Sequence, residues 1–85
     1  MKLSKAAFRE KFRRIPIELP NGDLADNTVL PLEYECAITL AYKQVCRGKW
    51  KSGNPVSMFD EDGIPYIMYQ DGSCFGYDLV KGTWF

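Results

Sequence analysis

Apolar residues recur at helical spacing in residues 31–47. At 100° per residue, six apolar side chains of this stretch fall within an arc of about 140°. Pro31 is tolerated in the first turn of a helix, and Gly48 is a typical stop signal after the last turn. The pattern predicts one main helix over residues 31–47, whose buried face consists of Tyr34, Ala37, Ile38, Ala41, Tyr42 and Val45.

In residues 56–85 the spacing changes, and aromatic or aliphatic residues alternate with other residues around glycine turns. Alternation with period two is typical of strands that have one buried face. The dipeptides Asp62-Gly63, Asp71-Gly72 and Lys81-Gly82 mark three turns between short strands. The sequence therefore predicts an antiparallel meander of three to four strands.

The lengths of the turns decide which residues share a face of this meander. We predict a three-residue loop at residues 61–63 and a two-residue turn at Asp71-Gly72. A two- or four-residue first loop would instead turn Phe59 toward the core. In the preferred register the second face carries Phe59, Ile67, Tyr69 and Cys74, and the core face carries Val56, Met58, Ile64, Tyr66, Met68, Phe75, Tyr77, Leu79 and Trp84.

A basic amphipathic helix is predicted over residues 1–14. Ser4 is a good N-cap, Phe8 and Phe12 follow at helical spacing, and Pro16 ends the segment. Its two phenylalanines either cap the second face of the sheet or leave that face open. Together these elements predict a single α+β domain over residues 1–85, with the main helix on one face of the meander.

Charge is segregated along the chain although the net charge is zero. Residues 1–14 hold six bases and one acid, and residues 15–35 hold five acids and no base. Residues 36–51 hold four bases and no acid, whereas residues 52–85 hold five acids and one base. Such blocks either neutralise each other in the fold or present faces of opposite charge to a partner.

The residue types give little support to catalysis or to cofactor binding. The chain has no histidine, and its three cysteines lack the CxxC spacing of zinc sites. The carboxylates at residues 60–62 fit turn chemistry better than an acid/base pair, and no glycine loop precedes a helix as nucleotide sites require. We therefore predict no enzyme, no metal and no cofactor. Without an apolar membrane span or a secretion signal, we expect a cytoplasmic protein with no membrane partner.

Aromatic surplus in the meander predicts a protein-binding module instead. Exposed aromatics ringed by polar groups are typical centres of interfaces. Small inhibitors or adaptors made by phages and mobile elements are proteins of this type. The comparison is one of type alone. A homodimer through a C-terminal edge strand is a related prediction. The predicted binding residues are Phe59, Asp60, Glu61, Asp62, Ile67, Tyr69, Trp84 and Phe85.

Nucleic-acid binding is the alternative prediction. The basic N-terminal segment and the patch from Lys43 to residue 51 would contact phosphates, and Trp50 would stack on a base. Overall neutrality counts against this prediction, because nucleic-acid-binding domains are usually basic. Its candidate residues are Lys5, Arg9, Arg13, Arg14, Arg47, Lys49, Trp50 and Lys51.

Overall fold

A computed structural model describes residues 3–85 and confirms the predicted α+β architecture. Two helices precede four strands, and the strands follow one another in the sheet in the order β1-β2-β3-β4, all antiparallel. No helix among the described residues is long and apolar enough to cross a membrane. The elements are α1 (Lys5–Glu10), α2 (Leu32–Cys46), β1 (Pro55–Glu61), β2 (Ile64–Tyr69), β3 (Cys74–Asp78) and β4 (Thr83–Trp84).

Both helices begin close to the residues that the sequence indicates. The Ser4 side chain accepts a hydrogen bond from the Ala7 amide at the start of α1, and α2 begins directly after Pro31, which has no side-chain capping bond. α1 ends at Glu10, four residues earlier than the sequence indicates, and Met1 and Lys2 of the predicted helix lie outside the described residues. α2 confirms the predicted main helix to within one residue at each end.

Both helices contribute to the same hydrophobic core, on one face of the sheet. Phe8 of α1 lies 5.4 Å from the Phe12 ring and 5.9 Å from the Tyr42 ring of α2. α1 therefore packs beside α2 rather than across the opposite face of the sheet. The core joins these helices to the strands through Phe8, Phe12, Ile17, Leu30, Tyr34, Ala37, Ile38, Ala41, Met58, Ile67, Tyr69 and Tyr77.

The predicted register of the meander is wrong, because the two hairpin loops have exchanged lengths. Glu61 pairs with Ile64 across a two-residue turn, in which Asp62 and Gly63 both have positive φ (55° and 82°). These values are those of a type I′ turn. In the second hairpin the Tyr69 amide donates to the Ser73 carbonyl at 2.8 Å. That loop therefore has three residues, 70–72.

A change of one residue in the length of a hairpin loop moves every side chain of the neighbouring strand to the other face of the sheet. Ile67 and Tyr69 are 0% and 1% exposed, so they belong to the core and not to the second face. Conversely, Tyr66 and Met68 lie on the face away from the helices. Tyr66 pairs with Phe59, and Met68 pairs with Ser57 of β1 and Cys74 of β3. Val56, also predicted as core, is 37% exposed beside an irregularity in β1. The core positions predicted for Met58, Phe75, Tyr77, Leu79 and Trp84 are confirmed.

A chain of hydrogen bonds crosses the core between α2 and the sheet. The Tyr77 hydroxyl donates to Oε1 of Gln44 at 2.7 Å, and it lies 2.7 Å from the Tyr69 hydroxyl. Because the Tyr77 proton points to Gln44, the Tyr69 hydroxyl is the donor in the second bond. Both phenols are almost fully buried, and all three polar groups have partners.

This chain predicts that the protein loses stability at alkaline pH. Burial raises the pKa of Tyr69 to about 12, and burial raises the pKa of Tyr77 as well. Above pH ~10 the unfolded tyrosines ionise while the folded ones stay protonated, so the unfolded state binds fewer protons. The free energy of unfolding should fall by roughly 1.4 kcal/mol per pH unit for each tyrosine between pH ~10 and ~12. Urea denaturation at pH 8, 10 and 11 measures how steeply the free energy of unfolding falls with pH. Tyr77→Phe removes one of the two titrating hydroxyls, so the fall should be smaller by about 1.4 kcal/mol per pH unit. A variant whose free energy falls as steeply as that of wild type would contradict this role of Tyr77.

An outer sheet face with an aromatic row

The side of the sheet away from both helices is called here the outer face. Its residues come from alternate positions of all four strands and from Phe85, whose amide and carbonyl both bond to Gly76 at 3.0 Å. Neither helix contributes a side chain to it, since the helices pack on the opposite side. The outer face consists of Ser57, Phe59, Glu61, Ile64, Tyr66, Met68, Cys74, Gly76, Asp78, Thr83 and Phe85.

Three aromatic rings form a row across the strands at the middle of this face. The Phe59 ring stacks on the Tyr66 ring at 5.6 Å with an interplanar angle of 6°. The Phe85 ring meets Tyr66 edge to face at 6.0 Å and 84°. Each such contact between rings stabilises the fold by about 0.5–1.5 kcal/mol beyond the contribution of the area that it buries. We call Phe59, Tyr66 and Phe85 the aromatic row.

Gly76 allows this row to continue across β3. A Cβ atom built at position 76 would lie 2.7 Å from Cζ of Phe85 and 2.8 Å from Cε2 of Tyr66. The two rings therefore cover the backbone of β3 where a side chain would otherwise stand, as aromatic neighbours do for glycines in strands. The position of the glycine thus fixes the place where the rings meet.

The aromatic row remains accessible to solvent. Phe85 is 59% exposed and Met68 is 36% exposed, whereas Phe59 and Tyr66 are half-buried by each other and by their neighbours. None of these four residues packs against the hydrophobic core. These four side chains therefore form an apolar patch on the outer face, of the kind that marks interaction sites on small proteins.

Carboxylates collect at one end of the outer face. Glu61 and Asp78 stand on the face itself, and Asp62 lies in the adjoining β1–β2 turn, whereas the side chain of Asp60, opposite Pro65, alternates to the helix side. Asp78 accepts hydrogen bonds from the amides of Val80 and Lys81, both at 3.0 Å. These bonds fix the Asp78 carboxylate but do not neutralise it, so Glu61, Asp62 and Asp78 give the aromatic row a negative rim at this end.

The structure brings only part of the predicted binding set together. Phe59 and Phe85 belong to the aromatic row, Glu61 and Asp62 lie at its acidic rim, and Asp60 alternates to the helix side. Ile67 and Tyr69 are core residues, and Trp84 lies on the core side, with the Arg47 guanidinium 5.3 Å from its ring centre. Sequence reasoning missed Tyr66 and Met68. Gly76 was the available signal, because a glycine within a strand favours large rings on the adjacent strands.

The predicted nucleic-acid residues are partly engaged inside the protein. Arg9 forms a bidentate ion pair with Glu35, with Nε–Oε1 at 2.9 Å and Nη2–Oε2 at 3.0 Å, and Arg13 pairs with Glu10 at 3.0 Å. The Trp50 ring packs 4.8 Å from Tyr69, and its Nε1 donates to the Gly53 carbonyl. The indole is therefore part of the fold and not a free stacking platform. Lys5, Arg14, Arg47, Lys49 and Lys51 are exposed, and so is Arg13 despite its ion pair.

The three thiols are free and exposed, and they lie on different surfaces. Cys74 is on the outer face, whereas Cys36 and Cys46 are on α2. Burial, and next the charge of Glu61, raise the pKa of the Cys74 thiol and lower its reactivity. Within residues 3–85 no three His, Cys, Asp or Glu side chains are grouped closely enough to hold a metal ion.

The architecture itself does not point to one function. An antiparallel meander with helices on one face is a layer arrangement that supports many activities. Neither a family model, nor a curated protein, nor a solved structure matches this chain.

Proposed function

We propose that this protein is a non-enzymatic protein-binding module that docks its partner on the outer face. The observation that carries the proposal is the aromatic row, which crosses the sheet and is covered by neither helix. The matching partner surface has an apolar centre and cations on one side. Its cations would stack on the rings or pair with Glu61 and Asp78.

The size of the face indicates that its acidic rim takes part. Three strands of five to seven residues and the two-residue β4, about 4.8 Å apart, give a face of roughly 15 by 18 Å. That plane is smaller than the ~800 Å² that each partner usually buries in a stable complex. Contacts must therefore extend past the rings, and the end of β1 with the turn that follows it, Glu61 and Asp62, is the adjoining surface that carries charge.

Charge also distinguishes among the candidate partners. The outer face carries no base, so a symmetric dimer that pairs two outer faces would bring no cation to their carboxylates, and the predicted homodimer through the C-terminal edge strand would be a different contact. Phosphates would be repelled by the same rim. A larger protein with a basic and apolar patch fits better, and an inhibitor or adaptor of the phage accessory type would act in this way. We place its action in the cytoplasm, where three exposed thiols stay reduced.

Tyr66→Ser is expected to remove partner binding without unfolding the protein. Truncating a central interface aromatic costs about 2 kcal/mol or more, which is roughly a 30-fold loss of affinity. Immobilised wild-type and variant proteins would be compared for the proteins that they retain from nuclease-treated lysate. Val29→Ser is the matched control, since Val29 is 74% exposed beside the start of α2.

The proposal requires a protein that wild type and Val29→Ser retain and that Tyr66→Ser loses. Equal retention of that protein by wild type, Val29→Ser and Tyr66→Ser would contradict the proposal. The alternative proposal, nucleic-acid binding, predicts that nuclease removes the retained material and that Lys49→Glu and Lys51→Glu prevent its retention. It has less support, because Arg9, Arg13 and Trp50 already have partners within the fold.

A further inference from the structure

A second unoccupied surface lies on the other side of the molecule, between α2 and the β3–β4 turn. Two hollows of about 370 and 680 Å³ meet at Gly82 and follow α2 toward its C-terminus. On the helix side they are lined by Cys36, Leu40, Lys43 and Arg47, spaced i, i+4, i+7 and i+11. We call this surface the α2 groove.

The α2 groove changes from apolar to cationic along its length. Its first half is lined by Leu32, which is 75% exposed, with Leu40 and Leu79. Its second half is lined by Lys43 and Arg47, with Trp84 as an aromatic wall. This half therefore combines positive charge with an apolar contact surface.

The cations of the groove lack carboxylate partners. Within residues 3–85 no Asp or Glu lies at ion-pair distance from Lys43 or Arg47. Glu35, the acidic residue that lines the groove, is already bound by Arg9 through two hydrogen bonds. Arg47 instead lies over the Trp84 ring at 5.3 Å, where one side of its guanidinium group remains available.

We propose that the α2 groove is a second docking site and that it takes an acidic protein segment with apolar anchors. The apolar side chains of the segment would seat against Leu40 and Leu79, and its carboxylates would pair with Lys43 and Arg47. Cys36 and Arg47 are about 16 Å apart along the helix axis, which corresponds to roughly five residues of extended peptide. Because one half of the groove is apolar and contains Glu35, a phosphate backbone fits it less well.

This site goes beyond the docking proposed for the outer face, since it has the opposite charge and lies on the helix side. The two surfaces have opposite charge and adjoin at Thr83 of β4. A protein that holds two different partners is an adaptor, so an adaptor fits this pair of surfaces better than a simple inhibitor does.

A selection from a random 12-residue peptide library on the immobilised full chain tests the site. The enriched peptides should combine acidic residues with aliphatic or aromatic ones. Their affinity should fall more than tenfold in Arg47→Glu and in Lys43→Glu, and it should be unchanged in Lys5→Glu, which alters an exposed base of α1. Circular dichroism verifies that each variant is folded.

Alkylation rates of the native thiols locate the bound peptide. Bound peptide should slow the alkylation of Cys36 and Cys46, which line the groove, and should leave Cys74 at its free rate. The proposal is overturned if the enriched peptides lack acidic residues, if Arg47→Glu and Lys43→Glu bind them as wild type does, or if Cys74 alone is protected. It is also overturned if a dT20 oligonucleotide binds at the groove more tightly than the peptides do.

Discussion

Ile67→Asp is expected to unfold the protein, whereas Met68→Asp, one residue further along β2, is expected to leave the fold intact. Ile67 is 0% exposed in the core, and a carboxylate there would lose its hydration without gaining a partner. We expect this cost to exceed about 4 kcal/mol, a large part of the ~5–15 kcal/mol of a typical domain. Met68 is 36% exposed on the outer face, so its change should cost about 1 kcal/mol or less. Urea denaturation followed by circular dichroism measures both.

Ile67→Val is the control for this pair, because it keeps an apolar side chain at the buried position. Its expected cost is about 0.5–1.5 kcal/mol. The register predicted from the sequence would reverse the result, with Met68→Asp unfolding the protein and Ile67→Asp tolerated. Comparing the two adjacent aspartates therefore decides which face of β2 is buried.

Phe12→Ala is expected to destabilise the protein by about 3–5 kcal/mol. Phe12 is 0% exposed, and its ring packs on Phe8 where the chain leaves α1. Its backbone carbonyl accepts a hydrogen bond from Nδ2 of Asn27 at 2.9 Å, and alanine keeps that carbonyl, so the loss measures the buried ring alone. The free energy of unfolding from urea denaturation measures the loss.

Phe85→Ala is the control for Phe12→Ala, because it removes the same kind of ring from an exposed position. Phe85 is 59% exposed, so we expect its removal to cost about 1 kcal/mol or less. Similar losses for the two variants would contradict the placement of both helices on the side of the sheet opposite to the aromatic row.

The helices and strands could be read from the sequence, because each depends on local spacing. The period of apolar residues located α2 and four of its buried side chains, Tyr34, Ala37, Ile38 and Ala41. Gln44 was missed, since a polar residue next to this stripe is usually solvated. It is buried because the Tyr77 hydroxyl, 33 positions away in the chain, donates to it. Such a long-range partner leaves no mark in the local pattern.

The faces of the sheet could not be read from local spacing, because both hairpins carry the same Asp-Gly pair. Asp62 adopts positive φ and belongs to a two-residue turn. Asp71 instead accepts a hydrogen bond from the Ser73 amide at 2.8 Å and belongs to a three-residue loop. These two conformations differ by one residue in register, and one residue exchanges the two faces of β2. For this reason Phe59 was placed on the correct face, while Tyr66 and Met68 were exchanged with Ile67 and Tyr69.

The rate of Cys74 alkylation in the partner-bound protein tests most directly whether the outer face is the docking surface. Cys74 lies beside Met68 on that face, and Cys36 on α2 provides an internal control on the opposite side. For the partner that Tyr66→Ser fails to retain, alkylation of Cys74 should be at least tenfold slower in the complex than in the free protein. Cys36 should react at its free rate. If Cys74 reacts equally fast in both states while the partner is bound, the outer face is not where this protein docks.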